Sequence, residues 1–205
     1  MGEAGVGSGG VSTVLRTSVA TLYSNLVTRP TGRAVRLAIE RQVREAEGAS
    51  LAVLDFTHVG IVDFSCADEV IAKLLRKYVR TDRPADAFFL AQGVSEHHRD
   101  PIETTLRRHG LLLVAMDVDG RRRLWGAAPG RLREAWSHLD ALGRALPDDF
   151  ATDRGLSRAT ARSWLQRLVS GRVAVVDELG GVCTLCAMLG GPAGLGDVDP
   201  HRGQV

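Results

Sequence analysis

The chain has 205 residues, 44% of them hydrophobic, enough to bury one medium core or two small ones. A formal charge of +2 excludes an argument for nucleic-acid binding from bulk charge, and no apolar run approaches the length of a membrane span. Three cysteines, an odd number without a regular framework, point to a reducing cytoplasm, and the opening MGEAGVGSGG lacks the apolar core of a signal peptide.

Residues 1–10 are Gly-rich and are expected to be disordered. Residues 11–23 alternate loosely and read as one or two strand pieces. Residues 31–47 read as a helix: Val35, Ala38, Ile39, Val43 and Ala46 share one face, and Gly48 follows its end. Arg33, Arg36, Glu40, Arg41 and Arg44 fall on the other face, which reads as solvated.

Residues 51–56, LAVLDF, form an almost unbroken apolar run, as in a strand buried on both faces of a helix-covered sheet. A second apolar piece, residues 59–62, leads into the loop Asp63-Phe64-Ser65-Cys66. The period then changes. Ala67, Val70, Ile71, Leu74, Leu75 and Tyr78 make the stripe of an amphipathic helix. Ser65 stands where that helix should begin, with Asp68 three residues on, so Ser65 is the expected N-cap. Cys66, at the same helix start, is placed for a lowered thiol pKa.

Residues 81–86 form a loop around Pro84, and residues 87–92 (AFFLAQ) another buried strand that Gly93 should end. A helix is expected over 101–109, with Ile102 and Leu106 inward. Residues 111–118 and 121–125 flank Asp119-Gly120, a strong hairpin signal. Strands alternating with helices define an α/β layered fold.

The composition shifts at Gly126-Ala127-Ala128-Pro129-Gly130, which marks the boundary between a unit over 11–128 and a second over 129–189. In the second, Leu132, Ala135, Trp136, Leu139 and Leu142 mark a helix that Pro147 breaks. Residues 148–155 form a short helix or turn. Ser157 opens a longer helix with Ala161, Trp164, Leu165 and Leu168 inward, and Gly171 closes it. Residues 172–176 and 182–189 read as two strands about Gly180-Gly181. The Gly- and Pro-rich residues 190–205 are expected to be a disordered tail.

Two family resemblances rest on these residues. The strand ending at Asp55-Phe56, followed by Phe64-Ser65-Cys66-Ala67-Asp68-Glu69, resembles the STAS domain of sulfate transporters and anti-sigma-factor antagonists. It is closer to the STAS-like domains found beside histidine-kinase-type ATPases, over about residues 12–126. Phe64 replaces the first loop serine of that family and Cys66 its glycine. The resemblance implies that Ser65, beside Asp63, occupies a phosphorylated switch position. Over residues 132–188, Gly155-Leu156-Ser157-Arg158-Ala159-Thr160 and the run from Leu165 through Gly171 to Val173 resemble winged helix-turn-helix transcription regulators.

The candidate DNA-contacting residues are Ser157, Arg158, Arg162, Ser163, Gln166, Arg167 and Arg172. Five arginines and no acid lie between residues 154 and 176, counting Arg154. Guanidinium forks suit guanine edges and phosphates, Gln suits adenine, and a serine hydroxyl suits phosphate. Asp177 and Glu178 count against a phosphate-seeking wing tip. Cys183-x-x-Cys186 supplies only two thiols pointing to opposite faces of a strand, and His97-His98 lie far from them in sequence, so no metal is expected. There is no phosphate loop, dinucleotide fingerprint or nucleophile–base constellation, so neither cofactor nor catalysis is expected. The leading reading is a cytoplasmic regulator in which a STAS-like unit receives a signal or a protein partner (a kinase or another regulator) and the winged helix binds double-stranded DNA, with no membrane association. The alternative is an anti-sigma-antagonist type of interaction switch whose winged helix docks protein. An enzyme or small-ligand sensor using the loop from Asp63 to Cys66 is the third.

Overall fold

The computed structural model describes residues 11–21 and 25–189; the expected disordered ends, and part of the strand region expected before residue 24, lie outside them. The fold is mixed α/β. A five-stranded sheet runs in the order β1 (Thr13–Ser18), β3 (Ser50–Asp55), β5 (Ala87–Val94), β6 (Leu112–Asp117), β7 (Arg122–Gly126). The first four strands are mutually parallel and β7 returns antiparallel to β6 through the Asp119-Gly120 turn. The run at 51–56 is thus interior, second from the edge, as its unbroken apolar character predicts. A small parallel pair, β2 (Asn25–Leu26) with β4 (Ile61–Val62), precedes the loop at Asp63.

The parallel strands are linked by α1 (Arg29–Glu45), α2 (residues 64–78) and α3 (Glu96–Arg108). Alternation along each strand divides the sheet into two apolar faces. Ala52, Leu54, Phe89, Ala91, Leu113, Ala115 and Trp125 pack with these three helices. Gly32 marks the closest approach of α1 to α2, since a Cβ there would lie 2.9 Å from the Glu69 Cβ and 3.2 Å from the Cys66 Cα. Gly93 does not end β5. It forms a bulge at φ +68°, where a Cβ would meet the Thr57 hydroxyl at 2.2 Å, and the strand continues to Val94.

Three local expectations need correction. α2 is not one regular α-helix, because Asp68–Ala72 forms a π turn between the α-helical Phe64–Ala67 and Lys73–Tyr78. α3 begins earlier than residue 101, at Glu96, with Ser95 as its N-cap. The buried His98 closes a capping box there, its Nδ1 accepting from the Ser95 N–H (3.2 Å) and its Nε2 meeting the Val59 carbonyl (2.9 Å). Finally, Glu40 is not on a solvated face. It is 2% exposed, and its carboxylate receives Arg36 and Lys77 at 2.6 Å each. Burial pushes that carboxyl up, but the hydrogen bonds and charges of Lys77 and Arg36 outweigh it and hold it below the usual range. The ion pairs thereby seal α1 against α2.

The second unit comprises α4 (Gly130–Leu142), β8 (Arg144–Ala145), α5 (Pro147–Asp153), α6 (Arg158–Ser170), β9 (Ala174–Val176) and β10 (Val182–Thr184). Its strands pair antiparallel in the order β8-β10-β9. Pro147 does not break α4, which ends at Leu142 with Gly143 (φ 72°) as its C-cap, ahead of β8; it occupies the first turn of α5, where its missing N–H costs nothing. The unit does not stand free. Leu132, Trp136, Leu139, Phe150, Leu165 and Leu168 share one buried cluster with Leu51, Val53, Phe88, Leu90, Val114 and Leu124, the second face of the sheet. The chain is therefore layered as helices, sheet, then this helical unit.

This shared core predicts that both units unfold together. Leu90→Ala, at a fully buried position, should cost about 2–5 kcal/mol and leave a single urea transition, coincident by far-UV circular dichroism and tryptophan fluorescence. Two separated transitions would contradict the shared core.

Candidate functional site

The first candidate surface is the outer face of α6. Ser157, in extended conformation, caps the helix, its Oγ accepting from the Thr160 N–H at 3.1 Å. Ala161, Leu165 and Leu168 are buried, and Trp164 packs partly buried against the same cluster as Trp136 and Leu139. That fixes the opposite face, so Arg158, Arg162, Ser163, Gln166 and Arg167 are all exposed. The side chains of Ser163, Gln166 and Arg167 have no hydrogen-bond or ion-pair partner among the described residues. Arg158 and Arg162 stand 3.8 and 3.7 Å from the Asp148 carboxylate, with 76% and 65% of their side chains exposed. Pairs so open contribute little to stability and leave both guanidinium groups accessible.

Arg172 is placed elsewhere. Its side chain is only 14% exposed. It leaves α6 at φ 55°, lies over the Phe88 ring at 3.9 Å, and donates to the Asp86 carboxylate (2.5 Å) and the Ala87 carbonyl (2.9 Å). It joins the second unit to the start of β5 and is not on the α6 face. Nothing local in the sequence signals this, since Asp86 and Phe88 lie more than eighty residues away. The turn between β9 and β10 is organised by Asp177, which pairs with Arg144 and accepts from the N–H groups of Leu179 (2.9 Å) and Gly181 (2.8 Å). The Arg144 hydrogen bond, reinforced by those amides, holds the Asp177 carboxyl down at about 2.

The second candidate is the loop entering α2. Here Asp63, not Ser65, is the N-cap: its Oδ1 accepts from the Cys66 N–H at 2.7 Å. The extended backbone of Asp63 (φ −90°, ψ 169°) leaves Ser65 inside the first turn, where its Oγ donates to the Asp63 carboxylate at 2.9 and 3.0 Å. The Asp68 N–H bonds to the carbonyls of Phe64 and Ser65. Asp68's carboxylate meets His109 at 2.8 Å and Arg29 at 3.5 Å. The Cys66 thiol is not activated. Burial, then the Asp63 charge, push it up to about 11, and it donates to the Thr28 carbonyl. Phe64 and Ile61, exposed by 52% and 57%, leave apolar surface beside the Asp63–Ser65 pair.

The remaining cysteines form no centre. Cys186 is buried and pushed up to about 12 by that burial, and Cys183 donates to Asp177 at 3.6 Å. Among the described residues no group of three or more His, Cys, Asp or Glu side chains could hold a metal ion, and no helix is long and apolar enough to cross a membrane. Comparison with known proteins finds no family model that matches the chain and no curated protein that matches it.

Asp63→Ala should cost about 1 kcal/mol of stability as a lost N-cap, measured by urea denaturation. Ser65→Ala should cost less, because the cap itself survives; the reverse order would return the capping role to Ser65. For Asp177 the folded pKa lies below the usual 3.8, so its contribution is present above about 3.8 and is lost as pH falls through about 2. Asp177→Asn should flatten the stability–pH curve in that window.

Proposed function

We propose that the chain is a transcription regulator in which a STAS-like sheet unit, receiving a signal or protein partner, is coupled to a winged helix that binds duplex DNA. The single observation carrying this reading is the outer face of α6. It presents Arg158, Arg162, Ser163, Gln166 and Arg167 together, on a helix whose other face is locked into the core. The order helix, strand, helix, helix and β-hairpin, closed by the β8-β10-β9 sheet, agrees with a winged helix-turn-helix. In that reading α6 enters the major groove and the turn at Asp177 lies beside the backbone.

A protein-docking reading is favoured by one observation. Asp148 already stands near both Arg158 and Arg162, as expected of arginines that prefer carboxylates to phosphates. In either reading Ser65, beside Asp63, is the candidate switch for what the helical layer binds. A phosphate there would set its charge against Asp63, within hydrogen-bond reach of its hydroxyl, and so weaken the cap and alter the surface around Phe64.

The test is binding of the full chain to random duplex DNA over roughly 50–200 mM salt, where phosphate contacts give a steep loss of affinity. Arg158→Ala or Arg162→Ala should weaken binding by about 1–3 kcal/mol in a sequence-dependent way if the residue reads a base. If it contacts only phosphate, the loss should be uniform and the salt slope should fall by about one. Arg172→Ala should lower stability and leave the salt slope unchanged. Unchanged DNA affinity in a folded variant lacking both Arg158 and Arg162 would overturn the DNA reading in favour of docking.

A further inference from the structure

The geometry points to a binding site for a small organic anion, a carboxylate or phosphate on a compact apolar body, in the cleft where the free edge of β7 meets α3 and α4. The cleft is open to solvent with a volume of about 200 Å³, and its lining includes four arginines, Arg99, Arg122, Arg123 and Arg133, against a single carboxylate, Glu103. Two tryptophans, Trp125 and Trp136, supply apolar wall. In a concave site, convergent charged groups fix the orientation of a small ligand whose apolar body rests on an aromatic wall.

Donors exceed acceptors throughout this seam. Glu103 is 3% exposed and already engaged: Arg133 reaches it at 3.0 Å, and Arg99 and Arg107 each at 3.2 Å. Arg133 also donates to the Gly126 carbonyl at 2.9 Å, and Arg122 is held by Asp140 at 3.2 Å. The side chains lining the cleft nevertheless include three buried N–H donors with no acceptor: the Trp125 and Trp136 indoles and the Arg133 Nε. Arg123, exposed at the cleft's rim, has no ion-pair or hydrogen-bond partner among the described residues. It also borders a neighbouring cleft of about 260 Å³ that shares Arg99 and Trp125. Arg99 and Arg133 are thus positioned by Glu103, while Arg123 is free to take the anion, bidentate through its guanidinium fork. A fixed, water-shielded carboxylate that orients arginines without spending all their donors differs from an ordinary surface pair, which neutralises both partners.

This site does not depend on the DNA reading. It shares no residue with α6, and a chain that bound no DNA would still bind the anion. The probe is anilinonaphthalene sulfonate, an anion on an aromatic body, titrated into the folded full-length chain and read by its emission and by quenching of tryptophan fluorescence. We expect saturable one-to-one binding, weakened roughly tenfold or more by Arg123→Gln, the loss of one charge-assisted contact, and unaffected by Arg167→Gln. Arg123 has no hydrogen bond or ion pair among the described residues to lose, so its variant should fold as the wild type does. Displacement of the probe by inorganic phosphate and not acetate would assign a phosphate ligand, and the converse a carboxylate. Non-saturable binding, equal affinity for uncharged phenylnaphthylamine, or an Arg123→Gln variant that binds as tightly as the wild type would overturn the site.

Discussion

The second face of the five-stranded sheet has to be covered, and the rest of the molecule is arranged to cover it. The parallel strands β1, β3, β5 and β6 follow one another across the sheet in sequence order. Parallel crossovers are almost invariably right-handed, so crossovers that all step the same way put every connecting helix on one side. α1, α2 and α3 therefore share one layer, and Leu51, Val53, Phe88, Leu90, Val114 and Leu124 face the other. Leaving such side chains in water would forgo about 1.5–3 kcal/mol for each large one. The second unit provides the missing layer, placing Trp136, Leu139, Phe150 and Leu165 over them.

Apolar contact alone does not set how one layer sits on another; polar contacts at its rim do. Arg172 reaches Asp86, the Ala87 carbonyl and the Phe88 ring at the start of β5. Arg133 spans Glu103 on α3 and the Gly126 carbonyl at the end of β7, and Arg122 on β7 pairs with Asp140 on α4. A partly buried ion pair repays its own desolvation and little more, so these contacts fix orientation more than they add stability. The left-handed backbone at Arg172 fits this role, since a non-glycine residue holds φ 55° only where its surroundings over-determine it.

Features set by neighbours in sequence were legible, and features set by distant partners were not. The strand at 51–56 was readable because burial on both faces leaves no alternation. Ser157 was readable as a cap because it follows Gly155-Leu156 and stands one turn before Ala161, the first residue of the apolar stripe of α6. At α2 two capping residues lie two positions apart, and only the extended backbone at Asp63 decides between them. The sequence also could not separate Arg172 from the α6 arginines, because the carboxylate that captures it lies eighty-six positions earlier. Glu40 read as solvated for the same reason: Lys77, which draws it inward, stands on another helix. The seam around Glu103 was invisible as well, its arginines being spread over α3, β7 and α4.

The layering also constrains how the two candidate surfaces relate. The Asp63–Ser65 loop belongs to the helical layer, α6 belongs to the opposite layer, and β3 and β5 lie between them, packed on both faces. A charge added at Ser65 meets its nearest consequence at Asp63 and the exposed Phe64, within the loop itself. Reaching α6 from there requires moving a close-packed sheet, which resists continuous deformation. The rim contacts offer a shorter route. Arg133 touches both layers directly, and the cleft beside it is bounded by α3 on one side and α4 on the other. In the proposed regulator, an input that acts on the placement of the second unit is therefore better applied at that seam than at the loop.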